Sequence, residues 1–143
     1  IDSPCGLFIT TREVYDNQAS FDVAYLNANM RMIGCSRSGV DPLKLWWQIQ
    51  TVGCKGWEAQ ASAIMSNTAY LKSELERIGW PCWCNEYSNT VFFKRPSDDI
   101  VKKFNLANSF DERFGGKLSH VVVMQHVDRN MIDVFVKELE KED

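Results

Sequence analysis

Apolar residues recur through the middle of this chain at helical spacing, then give way to short β-prone runs. Trp57, Ala61, Ile64, Met65, Thr68, Leu71, Leu75 and Ile78 follow one another in three- and four-residue steps. That interval puts side chains on one helical face. It predicts a helix over 57–78, driven more by burial of the stripe than by intrinsic propensity. Gly79 suits the position just past a helix end, and Pro81 prevents continuation. A shorter helix is expected over 42–52, where Leu43, Trp46, Trp47 and Ile49 keep the same spacing. Gly53 and Gly56 interrupt the chain between the two. The Trp and Met side chains of both stripes read as core rather than as a cofactor box.

Upstream, residues 7–10 are short and β-prone. Thr11 starts a brief helical turn over 12–15. Residues 21–26 read as extended or irregular, and 27–29 as a loop. This opening segment has too few long elements to fold alone and is expected to pack on something absent. Downstream, 82–86 alternates weakly and 90–94 more strongly. A turn at Ser88-Asn89 makes the pair a candidate hairpin. Ser97 is placed to cap a helix over 98–104, with acids in its first turn. The polar, glycine-containing stretch 109–117 reads as a surface loop. Residues 119–124 form an apolar strand expected at the sheet centre. Asp128 caps a last helix over 129–141, with Met131, Ile132, Phe135, Val136 and Leu139 inward. The order β-β-α-β-α over 82–141 places the chain in the α/β class. It suits a small α+β domain whose antiparallel or mixed sheet is covered by helices on one face. The expected division is 1–56 as an interface segment and 57–143 as a linking helix plus small domain.

Composition narrows the function classes. Hydrophobic residues make up 45% of the 143 and aromatic ones 12%, enough for a real core. A net charge of -3, from 16 basic and 19 acidic residues, offers no footprint for nucleic acid or an anionic membrane surface. No apolar run approaches the ~20 residues that span a bilayer, and no signal-peptide pattern opens the chain. Cys5, Cys35, Cys54, Cys82 and Cys84 form no CxxC pair and show no zinc-site spacing. They read as free thiols in a reducing compartment, hence the cytoplasm. His120 and His126 lack partners at ligand-like spacing and read as structural or exposed, with no metal implied. The first residue is Ile1, which suggests a processed piece or part of a longer polypeptide.

The stretch with candidate chemistry is 32–47. Gly34 and Gly39 bracket a hydroxyl, Ser36, and a guanidinium, Arg37. Asp41 is placed to cap the helix that opens with Pro42. Free backbone N–H groups, Ser36 and Arg37 could together hold a phosphate or carboxylate. A plain turn with a helix cap accounts for the same pattern.

Taken in order, several motifs resemble a known family. They are Ser3-Pro4-Cys5-Gly6, then Ile33-Gly34-Cys35-Ser36-Arg37-Ser38-Gly39 with Pro42 and Leu45-Trp46. Ala69-Tyr70-Leu71-Lys72, Asn85-Glu86 and Thr90-Val91-Phe92-Phe93 follow, then Arg95-Pro96-Ser97-Asp98 and His120-Val121-Val122-Val123-Met124. Together they are similar to the C-terminal third of the group II pyridoxal-phosphate (PLP) amino acid decarboxylases, with bacterial and plant histidine and serine decarboxylases as nearest kin. The likeness covers nearly the whole chain. Each motif is weak alone; their shared order and spacing carry the match. It implies the fold-type I architecture, a large PLP-bearing domain with a small C-terminal α/β domain packed on it. The family's His-Lys pair falls just ahead of the segment matching residues 1–6. No lysine present is therefore cast as the Schiff-base residue, and no catalytic residue is assigned. The carboxylate at the pyridine nitrogen also lies outside. The resemblance implies that Ser36 lies near the cofactor phosphate and substrate pocket, reaching them across a dimer interface. It places Arg37 beside it, holding cofactor, loop or interface geometry. Cys35 stands where near relatives have Gly and narrows the substrate pocket. Ser38 and Val40 stand where relatives often have Asn and His, 108–117 looks longer, and Gln125 replaces a common Pro.

The expected function is that of the C-terminal chain or segment of a PLP-dependent L-amino acid decarboxylase, converting an amino acid to an amine and CO₂, and inactive alone. The implied partners are an N-terminal lysine-bearing chain or domain, a homodimer or heterotetramer of such units, and an amino acid substrate. Histidine, serine and aromatic amino acids are all open. An alternative is a catalytically inactive truncated paralogue serving an intact decarboxylase as a regulatory or structural partner. A self-standing binding module is a third reading.

Overall fold

The computed structural model describes residues 9–23, 28–30 and 38–142. The chain divides into two compact units, Ile1–Gly53 and Cys54–Asp143.

In the first unit α1 (Arg12–Asp16) begins where the Thr11 hydroxyl accepts the Val14 N–H at 3.3 Å, a side-chain cap of the expected kind. Strands β1 (Phe21–Val23) and β2 (Ala28–Met30) pair antiparallel, with Phe21 opposite Met30. Ala28 and Asn29 were expected in a loop. Their backbone groups instead find ladder partners in β1, a pairing that short polar stretches conceal. Ile9 and Thr10 carry no strand, and the rest of the expected 7–10 segment lies outside the described residues.

Helix α2 (Val40–Arg77) is two helical stretches that meet at Gly53, whose φ of 66° and ψ of 172° are not helical. Gly56, expected as a second break, stays within the helix. Ser38, not Asp41, meets the helix start: its hydroxyl accepts the Val40 N–H at 3.2 Å, and Asp41 lies in the first turn. Leu43, Trp46, Trp47 and Ile49 are exposed rather than core.

In the second unit the C-terminal end of α2 closes as the sequence predicts. The Trp80 N–H reaches the Leu75 carbonyl at 2.9 Å and the Gly79 N–H reaches Glu76 at 3.0 Å. These two bonds satisfy carbonyls the helix leaves over, with Gly79 at φ 73° in the left-handed region. Strand β3 (Cys82–Cys84) forms a hairpin with β4 (Thr90–Lys94). Helix α3 (Asp98–Lys103) carries Asp98 and Asp99 in its first turn, but Ser97 makes no side-chain cap. Its N–H instead donates to the Glu142 carboxylate at 3.1 Å.

The expected surface loop 109–117 is largely sheet. Strand β5 (Ala107–Asp111), a 3-10 turn (Glu112–Phe114) and β6 (Gly116–Val122) form a second hairpin. Gly115 at φ 89° and Gly116 at φ 96° allow the tight return. The order is therefore β-β-α-β-β-α. All pairings are antiparallel in the strand order β3-β4-β6-β5, so β6 is a central strand.

One sheet face meets the helices. Val91 and Phe93 of β4 pack with Leu71 and Leu75 of α2 and with Ile100 and Val101 of α3. Helix α4 (Arg129–Leu139) adds Ile132, Phe135, Val136 and Leu139. Asp128 caps α4, accepting the Met131 N–H at 2.8 Å. Burial of this set, at about 1.5–3 kcal/mol for each large apolar side chain, holds the unit together. Met131 is a correction: it is 46% exposed, because it sits at the edge of the inward stripe, where it lines an open cavity beside α4. Trp57 and Met65 also stay at the surface, so only Thr68, Leu71 and Leu75 of the long stripe are buried.

Candidate functional site

Cys35, Ser36 and Arg37, the residues assigned to a cofactor and substrate pocket, lie outside the described residues. Their exit is described. Ser38 hands the chain to the N-terminal turn of α2, where its hydroxyl accepts the Val40 N–H. Exposed Trp46 and Trp47 follow within two turns.

The second unit adds a surface the sequence did not single out. Strand alternation sends Trp83, Phe92 and His120 to the sheet face away from the helices, and register sets them in one row: Trp83 opposite Phe92, Phe92 opposite His120, and Ala107 beyond. Phe92 and His120 stack at 4.9 Å between ring centroids. Phe114, from the tip of the second hairpin, lies over Trp83 at 4.8 Å and lines the same cavity as Leu118, which is only 2% exposed. His120 Nδ1 is hydrogen-bonded to Ser109 Oγ at 3.0 Å, so this histidine is a bonded structural residue. The surface encloses a cavity of about 510 Å³ lined by Trp83, Phe92, Phe110 and Phe114, with Asn85 and Asp111. A second cavity of about 500 Å³, lined by Leu106, Val121, Val127, Met131, His120 and His126, opens beside α4. The alternation of Trp83 between Cys82 and Cys84 was the available signal for this face. It was weak because β3 spans only three residues.

The perturbed titrating groups are explained by local pairing. Arg95 holds the Asp98 carboxyl below its ordinary value, and Arg113 does the same to Asp111. Lys141, then Lys103, lowers Glu138. The hydrogen bond to Asp133, 2.7 Å away, raises the Tyr70 hydroxyl. Burial pushes the Cys82 thiol up, the opposite of what a reactive thiolate needs. Cys54, Cys82 and Cys84 are free. Among the described residues no group of three or more His, Cys, Asp or Glu side chains is placed to hold a metal ion. No described helix is long and apolar enough to cross a membrane. These are the contacts of a braced scaffold.

No family model matches the chain. Its sequence is 36% identical over 137 residues to serine decarboxylase 1 of Oryza sativa subsp. japonica, covering 95% of this chain and 27% of that protein. It is 30% identical over 125 residues to the histidine decarboxylase of Vibrio anguillarum, covering 87% of this chain and 31% of that protein. Among solved structures, L-methionine decarboxylase from Streptomyces sp.590 matches with a TM-score of 0.67 at 25% identity. That match covers 87% of this chain and 26% of the other. The chain thus spans between a quarter and a third of the length of these relatives, at their C-terminal end. The relatives are PLP-dependent enzymes. Over nearly its whole length, this chain is a homologue of the C-terminal portion of the group II PLP-dependent amino acid decarboxylases.

Proposed function

We propose that this chain is the C-terminal part of a PLP-dependent L-amino acid decarboxylase, releasing CO₂ from an amino acid to give an amine. In this reading the Schiff-base lysine lies in an N-terminal part, and the two complete a dimeric site in the cytoplasm. The single observation that carries it is the 36% identity to a serine decarboxylase across 95% of the chain. Residues 1–56 then belong with the large cofactor-bearing domain and 57–143 form the linking helix and small domain. The donor set suits the cofactor's anionic end: a hydroxyl, a guanidinium and glycine backbone beside a helix start are phosphate-binding chemistry. Ser36 donates its hydroxyl to the phosphate edge and faces the substrate pocket. Arg37 neutralises charge there and braces the loop, and Cys35 narrows the pocket. PLP when bound supplies the electron sink for loss of CO₂.

The test is recovery of the native assembly through a tag on this chain, followed by native mass spectrometry, PLP absorbance and decarboxylation assays. A larger lysine-bearing part, PLP absorbance and decarboxylation are expected. Recovery of this chain alone, without PLP, refutes the reading. In the same assembly Ser36→Ala removes a hydrogen bond to a charged group, worth about 1.5–3 kcal/mol. PLP retention should weaken at least roughly tenfold with folding unchanged. Unchanged PLP affinity and kinetics would remove Ser36 from the site.

A further inference from the structure

The turn between β3 and β4 holds its side chains in an arrangement the fold itself does not reward. Residues 85–88 form a tight turn closed by the Ser88 N–H on the Asn85 carbonyl at 3.2 Å. Tyr87 occupies its third position with φ at 60°. Glycine or asparagine is the ordinary occupant of such a position, because a Cβ is strained there. Tyr87 is nevertheless a bulky aromatic, and it is 87% exposed. The turn is also rigid. The Thr90 N–H donates to the Ser88 hydroxyl at 3.1 Å, and the Cys84 thiol donates to the Ser88 carbonyl at 3.5 Å. Asn89 ties the hairpin to the end of β6 in both directions: its side-chain amide donates to the Val123 carbonyl at 2.9 Å, and its own carbonyl accepts the Val123 N–H at 2.8 Å. Among the described residues, nothing rewards a strained, solvated tyrosine on this braced support. Backbone strain of this kind is kept where surrounding structure or a partner makes use of it.

We propose that Tyr87 is an anchor residue whose ring enters an apolar slot on the lysine-bearing part of the assembly. Buried aromatics of low side-chain entropy on rigid supports are the usual centres of such contacts. The occupant follows from length: the relatives are about three times as long as this chain, so in the proposed assembly most of the surface able to cover the ring lies in the lysine-bearing part. The cavity lined by Trp83 and Phe92 adjoins the same hairpin through Cys84 and Asn85, which places a second apolar area beside the anchor. This inference rests on the assembly reading above.

The experiment is nitration of Tyr87 with tetranitromethane, followed by peptide mass spectrometry, in the isolated chain and in the PLP-containing assembly. At least tenfold slower modification in the assembly is expected. Tyr87→Gly, which relieves the φ strain, should leave the thermal midpoint of the isolated chain unchanged or higher while PLP is lost from the assembly at least tenfold more readily. Tyr87→Phe should behave as the natural protein does. Equal nitration in the two states, protection already present in a self-associated isolated chain, or an assembly indifferent to Tyr87→Gly overturns the inference alone. Failure to find any PLP-containing assembly overturns the assembly reading and this inference with it.

Discussion

Gly79 shows how much a single position decides. Its φ of 73° lets the chain leave α2 and turn at once into β3, and the two closing bonds from Gly79 and Trp80 depend on that angle. No atom stands within 4 Å of where a Cβ would sit, so a substitution there is opposed by backbone conformation and not by crowding. Gly79→Ala should therefore cost about 1–2 kcal/mol, read as a lower midpoint in a urea melt with an unchanged slope. Other single residues divide by whether their partner is local. Asp128 and Thr11 cap their helices through N–H groups three residues on, and both roles were legible in the sequence. Ser97 has the right identity at the right place, yet its hydroxyl caps nothing, and its N–H is satisfied by Glu142, 45 residues away. Sequence spacing cannot report that distant partner.

Elements were legible where burial and period agree, and hidden where pairing alone supports them. Leu71, Leu75, Ile132, Phe135, Val136 and Leu139 sit at helical spacing and line the core as expected. Strand β5 escaped notice because it is an edge strand with one large apolar residue, Phe110, and that residue is exposed. Its support is the ladder to β6, which local hydropathy does not encode. The helices are also tied to each other by charge. Glu138 of α4 receives Lys103 of α3 at 3.0 Å and Lys141 at 2.6 Å. Lys141, then Lys103, depresses its carboxyl in the folded state. A depressed carboxylate contributes stability above its unfolded value and loses it as pH falls through its folded value. Glu138→Gln should thus flatten the decline of stability from neutral pH into the acid range, with the variant and natural chains converging at the acid end. Chemical unfolding at stepped pH values measures it. The effect is small, because the pair is solvent-screened, and it should shrink further in high salt.

At the scale of the whole molecule the apolar surface is out of balance with a solvated chain. Leu43, Trp46, Trp47 and Ile49 lie on the first stretch of α2, and Trp47 is 62% exposed. Scattered single apolar residues at a surface need no explanation, whereas four within seven positions of one helix mark a surface meant to be covered. The sequence marked these same positions as core from their spacing. That reading failed for the chain by itself because periodicity reports which face is apolar and not which molecule buries it. The chain corresponds to 27% of the serine decarboxylase it resembles; in the proposed assembly, covering surface belongs with the remainder. Two indole rings removed together make the direct test. Trp46→Gln with Trp47→Gln should lower binding of an apolar dye and reduce self-association in light scattering. The thermal transition of the second unit should stay in place, because neither residue lies in its core cluster. The same double variant should fail to retain PLP in the native assembly, since each indole forfeits about 1.5–3 kcal/mol of burial there. Full PLP retention by that variant would show that this helical face is not the covered surface.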